Sequence, residues 1–427
     1  MTATPLRART APLALAAVGV LALAACGSSG SGSSSSGGTT TVRIGNVLPF
    51  TGDLSTYGPA LDKASGMGIA LVDEALKKDG ITDLTLAAAG SEDDQTQSAA
   101  GVEAATKLVQ SDKATVLVGS MSSGVTTAIA QSVAIPNDVV LLTPTSSDPS
   151  ITELPDDGLV FRIYPPDTLQ ARALAQAMAD TYGKTALVNV GGRNDAFGTA
   201  LTREFATQWK AQGGRVGQTV LYNPTAATFD TEAAQLASGS PDAWMIADFP
   251  TTFEKVGPAL VRTGTWSPAR TFMTEAMQST SALAKIGAPA TEGLRGTAGS
   301  GKGGAAPDAF QEEFEARNPG TTYTGFEGTS FDASVMAGLA AVKAGSGKAD
   351  DIKKALLTVS TAGGQEFTWQ QLPEAITAIK AGKPVKYLGA WGPIVFDGKG
   401  DPTQSSFVVW DYTGGKIGTL RDFSFGG

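Results

Sequence analysis

Thr115-Val116-Leu117-Val118-Gly119-Ser120-Met121-Ser122-Ser123-Gly124 runs directly into Val125-Thr126-Thr127-Ala128-Ile129-Ala130. A short β-branched apolar run that breaks into Gly and Ser and then resumes with helical composition reads as a buried strand, a tight loop and a helix start. The first turn of a helix leaves backbone N–H groups unpaired and carries about half a positive charge from the macrodipole. A carboxylate can dock there. Ser122 and Ser123 would add hydroxyls, and Gly124 leaves the backbone open to approach. Ser123 suits the part of an ordinary N-cap equally well, so the meaning of the stretch depends on what surrounds it.

Working outward, residues 42–49 form a strand, 50–58 a Gly-punctuated loop, 59–78 a helix and 84–89 a second strand, followed by the acidic loop Ser91-Glu92-Asp93-Asp94 and a helix over 96–110. Downstream, a strand over 139–143 stops at Pro144-Thr145-Ser146-Ser147-Asp148-Pro149. Phe161-Arg162-Ile163-Tyr164 then leads through Pro165-Pro166 into a fresh series, with strands at 186–190, 216–221, 243–247 and 271–273 and helices between them. Strands alternating with helices at short loop lengths give a parallel sheet covered on both faces, and such sheets bind ligands at the carboxyl ends of their strands. Because the series restarts, the expected fold is α/β, with two doubly wound parallel-sheet lobes joined by a multi-segment hinge.

Further on, residues 296–304 have the look of a phosphate loop, but Gly303 follows Lys302 where such a loop needs Ser or Thr for magnesium. The stretch reads as a flexible crossover. Helices follow at 309–317, 329–343 and 350–357, then a strand and turn over 393–402 and an antiparallel strand over 406–412 with a hairpin at Gly414-Gly415. The expected division is 42–164 plus 298–400 for lobe 1, and 165–297 plus 401–427 for lobe 2.

Composition limits the chemistry. The 427 residues include no histidine, which removes the commonest general base and metal ligand. A single cysteine, Cys26, allows neither an intrachain disulfide nor a multi-cysteine metal site. No metal and no cofactor are expected. A formal net charge of −9 argues against a nucleic-acid partner, which would call for a basic face.

Residues 1–25 carry Arg7 and Arg9 ahead of an apolar run from 11 to 25, the layout of a secretory signal and shorter than the ~20 residues of a membrane span. The run ends in Leu23-Ala24-Ala25-Cys26-Gly27. This resembles the bacterial lipobox, in which the cysteine becomes the lipid-modified first residue. Residues 26–41, almost all Gly, Ser and Thr, read as a flexible leash from the membrane.

Taken in order, residues 44–58, 118–123, 142–149, Phe161-Arg162 and 392–401 resemble the leucine/isoleucine/valine-binding group of solute-binding proteins. Those are the extracytoplasmic receptors of ABC importers, built on the type I periplasmic binding fold. The resemblance runs from about residue 42 to 412. It implies that Ser123 and Ser147 hold a ligand α-carboxylate, that Thr145 presents a carbonyl to the ammonium, and that Glu275 pairs with that ammonium. It also implies that Tyr57, Phe197 and Phe249 line the pocket, with Phe331 as a further candidate. Amino-acid-binding members often carry tyrosine at the positions of Phe197 and Phe249 and threonine at that of Ser147; the two hydroxyls missing at Phe197 and Phe249 make this pocket drier.

The resemblance implies a small-molecule ligand, an amino acid in the leading reading, and an ABC permease as membrane partner. Receptors for amides, urea or small aromatic acids, and a sensor for a signalling partner, share the same pocket. A hydrolase built on Ser123 would need a Ser–Lys pair, since histidine is absent. Carboxylate and ammonium need opposite partners. Hydroxyls on one lobe and Glu275 on the other supply both only when the lobes close, and a ligand touching both lobes shifts that equilibrium.

Overall fold

Five strands form the first sheet: β1 (Thr40–Leu48), β2 (Leu84–Asp93), β3 (Val116–Gly119), β4 (Val140–Thr143) and β5 (Val160–Arg162). They are all parallel, in the order β2-β1-β3-β4-β5. The structure, a computed structural model, describes residues 39–301 and 307–425. The secretory leader, Cys26, nearly all of the leash and residues 302–304 of the phosphate-loop look-alike lie outside the described residues.

The second sheet repeats this winding with β6 (Leu187–Arg193), β7 (Arg215–Tyr222), β8 (Ala243–Ala247), β9 (Thr271–Met273) and β10 (Arg295–Ser300), parallel in the order β7-β6-β8-β9-β10. A small third sheet joins β11 (Gln365–Thr368), β12 (Val385–Leu388) and β13 (Pro393–Ile394). The chain then adds the antiparallel hairpin β14 (Ser405–Thr413) and β15 (Lys416–Phe425) to the edge of the second sheet, beside β10. The two doubly wound α/β lobes are those expected from the sequence.

β3 and β4 are fully buried, which is why they read as unbroken apolar runs. On one face of the first sheet, helix Gly58–Lys78 packs against helix Glu327–Ala344, whose first sixteen residues are all buried. Gly68 makes this possible, because a Cβ there would stand 2.7 Å from the Phe331 carbonyl oxygen. The opposite face is covered by helix Ser98–Gln110 and the helical run from Ser123.

Three expectations are corrected. The acidic stretch Ser91-Glu92-Asp93 is the end of β2, paired with Asn46, Val47 and Leu48; β2 is an edge strand, so its polarity does not betray its pairing. Residues 298–300, expected in the first lobe as part of a crossover, are strand residues bonded to β14 in the second sheet. Their glycines admit neighbouring rings, since a Cβ at Gly299 would meet the Tyr164 ring at 2.7 Å. In the third sheet only β13 falls within a strand expected from the sequence; β11, β12 and helix Leu372–Lys380 went unread. All three belong to the first lobe's core through residues such as Phe367, Tyr387, Ile376 and Ile379.

Candidate ligand-binding cleft

Both sheets end at the same cleft. In the first, the loops after β1, β3 and β4 reach it; in the second, those after β6, β8 and β9. In both sheets the first and third strands diverge in connection at the switch point, where parallel sheets leave room for ligands.

The loop after β3 turns at Gly119, whose φ of +144° and position 2.1 Å from the Val47 carbonyl oxygen, measured from an added Cβ, admit only glycine. The loop is fixed by its neighbours before any ligand enters. Thr143 Oγ1 donates to the Ser120 carbonyl at 2.8 Å, Thr126 and Ser146 hydroxyls meet at 2.8 Å, and Ser120 N–H donates to Thr126 Oγ1 at 3.0 Å. Ser122, not Ser123, is the N-cap, and its side chain makes no capping bond. Ser123 is the first helical residue. Its Oγ accepts from Ser147 N–H at 3.2 Å and Asp148 N–H at 3.3 Å, tying the two first-lobe loops together. Thr145 Oγ1 donates to the Met121 carbonyl at 3.1 Å.

Across the cleft, Glu275 begins a short turn after β9 and is buried. Its carboxylate accepts from Gln170 Nε2. Burial pushes it up to about 7, against the Gln170 amide, which favours the ionised form. Phe197 and Phe249 stack with centroids 5.2 Å apart, and the Arg193 guanidinium lies 3.9 Å from the Phe249 ring centre.

A small cavity brings most of the expected residues together. Ser123, Thr145, Ser147, Phe197, Phe249 and Glu275 line it, along with Leu54, Met121, Ala276 and Phe326. Among the described residues, no lysine lines it. Ser122 is not part of the lining. Tyr57 is fully buried beside the cavity, where its hydroxyl donates to the Ala276 carbonyl at 2.8 Å and its ring meets Phe326 edge-on. Phe331 belongs to the first lobe's core, against Phe310 at 5.0 Å and Trp369 at 6.0 Å, because the helix that carries it is buried on every side.

Four lining residues escaped the sequence reading. Leu54, Met121, Ala276 and Phe326 are apolar and carry no local mark of a site. Asp167 was also missed. It opens helix Asp167–Tyr182 directly after Pro165-Pro166, where an acid reads as a favourable first-turn charge. It is fully buried beside Ser147, whose hydroxyl faces it without hydrogen-bond geometry, and burial followed by the charge of Glu275 holds it well above the usual carboxylate range.

The lobes are closed on one another. Besides the Tyr57 bond, Arg193 of the second lobe pairs with Asp53 of the first at 2.7 Å, and Thr251 Oγ1 donates to the Asp53 carbonyl at 3.0 Å. Arg193 is also held by Asp195 and by Thr252 at 2.9 Å, so it is oriented independently of closure. Asp53 is partly exposed, which limits the pair to about 0.5–1 kcal/mol. Asp53→Asn should therefore weaken ligand binding by about two- to fivefold, with a deficit that shrinks as salt is raised. Calorimetry against salt checks this, and an unchanged affinity would mean that the pair does not favour closure.

Among the described residues, no helix is long and apolar enough to cross a membrane, and no group of His, Cys, Asp or Glu is placed to hold a metal ion. Two parallel-sheet lobes closed on a small polar-and-aromatic cavity at their strand ends are the architecture of a two-lobed solute-binding protein. The chain belongs to the periplasmic binding protein family, whose profile matches residues 41–405.

Solved structures with the same fold include a leucine-binding protein from Thermotoga maritima, 20% identical, covering 90% of this chain and 98% of that one at a TM-score of 0.71. A branched-chain amino acid transporter substrate-binding protein from Streptococcus pneumoniae, in complex with isoleucine, is 16% identical, covering 91% and 100% at 0.70. An ABC-transporter solute-binding protein from R. palustris, in complex with benzoate, is 22% identical, covering 89% and 95% at 0.65. No curated protein matches the chain.

Proposed function

We propose that this protein is the extracytoplasmic receptor of an ABC importer, held at the membrane by lipid on Cys26, and that it captures a small zwitterion, an aliphatic amino acid such as leucine or isoleucine. The observation that carries the reading is the composition of the cavity: hydroxyls of Ser123, Thr145 and Ser147 on one wall, the Glu275 carboxyl on the facing wall, and the stacked Phe197 and Phe249 beside them. The Ser123 and Ser147 hydroxyls suit a ligand carboxylate, the Thr145 carbonyl and Glu275 suit an ammonium, and the rings suit an apolar side chain. Such a ligand joins the lobes and selects the closed state.

A second reading has support of its own. The Phe pair lacks the hydroxyls expected of an amino-acid pocket, and the R. palustris protein is in complex with benzoate, so a small aromatic acid fits the dry end of the cavity. It offers Glu275 no ammonium to pair with. The amino acid is therefore favoured.

A melting-temperature panel of aliphatic amino acids, amides, urea and benzoate separates the two. An amino acid at a hundred times its Kd adds about 2.7 kcal/mol of stability, which reads as a clear upward shift. A shift with benzoate and none with any amino acid would overturn the proposal.

A further inference from the structure

The chain passes between the lobes three times: after β5, after β10 and ahead of β14. A cavity of about 430 Å³, within the ~300–1,000 Å³ usual for small-molecule sites, touches all three passages. Ile163 and Pro165 line it from the first, Ser300 from the end of β10 where the second begins, and Pro402 from the third. It shares no lining residue with the ligand cleft. A single layer of packing separates the two: Trp391 lines the hinge cavity and stacks on Phe326, with centroids 6.3 Å apart, and Phe326 lines the cleft.

Each lobe supplies one wall. From the first, Glu366 on β11 and Lys386 on β12 stand side by side in register, carboxylate and Nζ 3.1 Å apart. From the second, Ser406 on β14 and Ser424 on β15 pair in register, their hydroxyls 3.2 Å apart. Strand pairing holds both walls, so neither has to be ordered by a ligand. Ser300 and Ser405, at the two places where the chain leaves and rejoins the second sheet, carry buried hydroxyls with no hydrogen-bond partner among the described residues. A buried hydroxyl without a partner is unfavourable, and a solute that bonds to it removes the penalty.

The lining defines a class of solute. The charges of Lys386 and Glu366 cancel, so an ion of either sign meets its like as closely as its opposite. Serine hydroxyls both donate and accept, and suit a solute that does the same. Ile163, Pro165, Pro402 and Trp391 give C–H groups an apolar surface. A neutral polyhydroxylated molecule of sugar type offers both kinds of contact.

We propose that the hinge cavity is a second solute site, for a neutral sugar, and that its occupant favours the closed lobes and so tightens capture in the cleft. The two walls belong to different lobes, and opening moves the Glu366–Lys386 wall relative to the Ser406–Ser424 wall. A sugar bridging them in the closed arrangement has a differential affinity for it, and shifts the equilibrium by that amount. The coupling is reciprocal, so a solute in the cleft tightens the sugar by the same factor. The site is independent of which solute the cleft takes.

Calorimetric titration of the full chain with D-glucose and with trehalose tests the site, each repeated with L-leucine at saturation. The expected result is saturable heat with at least one sugar at a Kd of about 1 mM or tighter. Leucine should lower that Kd about fivefold or more. Ser405→Ala and Lys386→Met should each weaken the sugar about three- to tenfold, with the leucine affinity measured without sugar unchanged. No heat with either sugar, heat with inorganic phosphate alone, or sugar binding that either variant leaves unchanged would overturn the proposal.

Small-angle X-ray scattering reads the coupling without an amino acid. Saturating sugar should lower the radius of gyration of the chain. A bound sugar that leaves the radius unchanged, or whose affinity a bound leucine does not alter, would overturn the coupling. No heat with leucine would count against the reading of the cleft alone, because the sugar titration and the scattering still decide the hinge site.

Discussion

Glu275→Gln will lower the affinity for an aliphatic amino acid by about 2–4 kcal/mol, roughly thirty- to several-hundredfold. The side chain keeps its size and can still meet Gln170, so the loss isolates the charge on the wall facing Ser123 and Ser147. The same variant will bind the matching carboxylic acid without the amine as well as the native chain does, or better, since that ligand offers no partner for Glu275. Equal losses for both ligands would make Glu275 a structural acid. A melting temperature within the native range is the control that the cleft still forms.

The second large effect is on stability. Arg162 is fully buried at the end of β5, beside the first crossing between the lobes. Its Nε meets Asp401 at 2.5 Å, its Nη1 donates to the Asp148 carbonyl at 3.0 Å, and Thr152 completes the set by donating to Asp401 at 2.8 Å. Asp401 lies just before the chain returns to β14, so this pair ties two crossing segments to the loop after β4. Asp401→Ala leaves a guanidinium buried without its partner and will destabilise the protein by about 3–5 kcal/mol, read as a lower urea midpoint. Replacing both partners with apolar residues, Arg162→Met with Asp401→Leu, will recover much of that loss, because the charges no longer need solvation. A single variant as stable as the native chain would mean that the pair does not hold the hinge.

The two sheets were legible chiefly because their central strands are buried on both faces. Val116 to Val118 and Ala243 to Ala247 are apolar throughout, and such runs between helices have few other readings. Part of what escaped was structure whose stability comes from strand pairing. β10 is Arg-Gly-Thr-Ala-Gly-Ser, a composition of loops, and is a strand because β9 and β14 bond to it on either side. The outer part of β2 is acidic and exposed for the same reason.

The site followed a similar rule. Ser123, Ser147 and Glu275 stand at strand ends where topology concentrates ligands, so their positions carried information. Phe331 carried none: an aromatic residue at the start of a helix packs inward or toward a cleft according to what covers the helix, and here the helix Gly58–Lys78 covers it. Asp167 had a sequence signal with a bland explanation, since acids favour first turns everywhere. Its lack of a partner is a fact of the folded packing and appears in no local pattern.

The claim on which the rest depends is that one ligand bears a carboxylate toward Ser123 and an ammonium toward Glu275. Calorimetric titration of the native chain with L-leucine beside 4-methylpentanoate, the same molecule without its amine, tests it most directly. The account predicts saturable heat with leucine and binding of the des-amino acid weaker by at least about a hundredfold. Equal affinity for the two, or tight binding of benzoate with none of leucine, would contradict it.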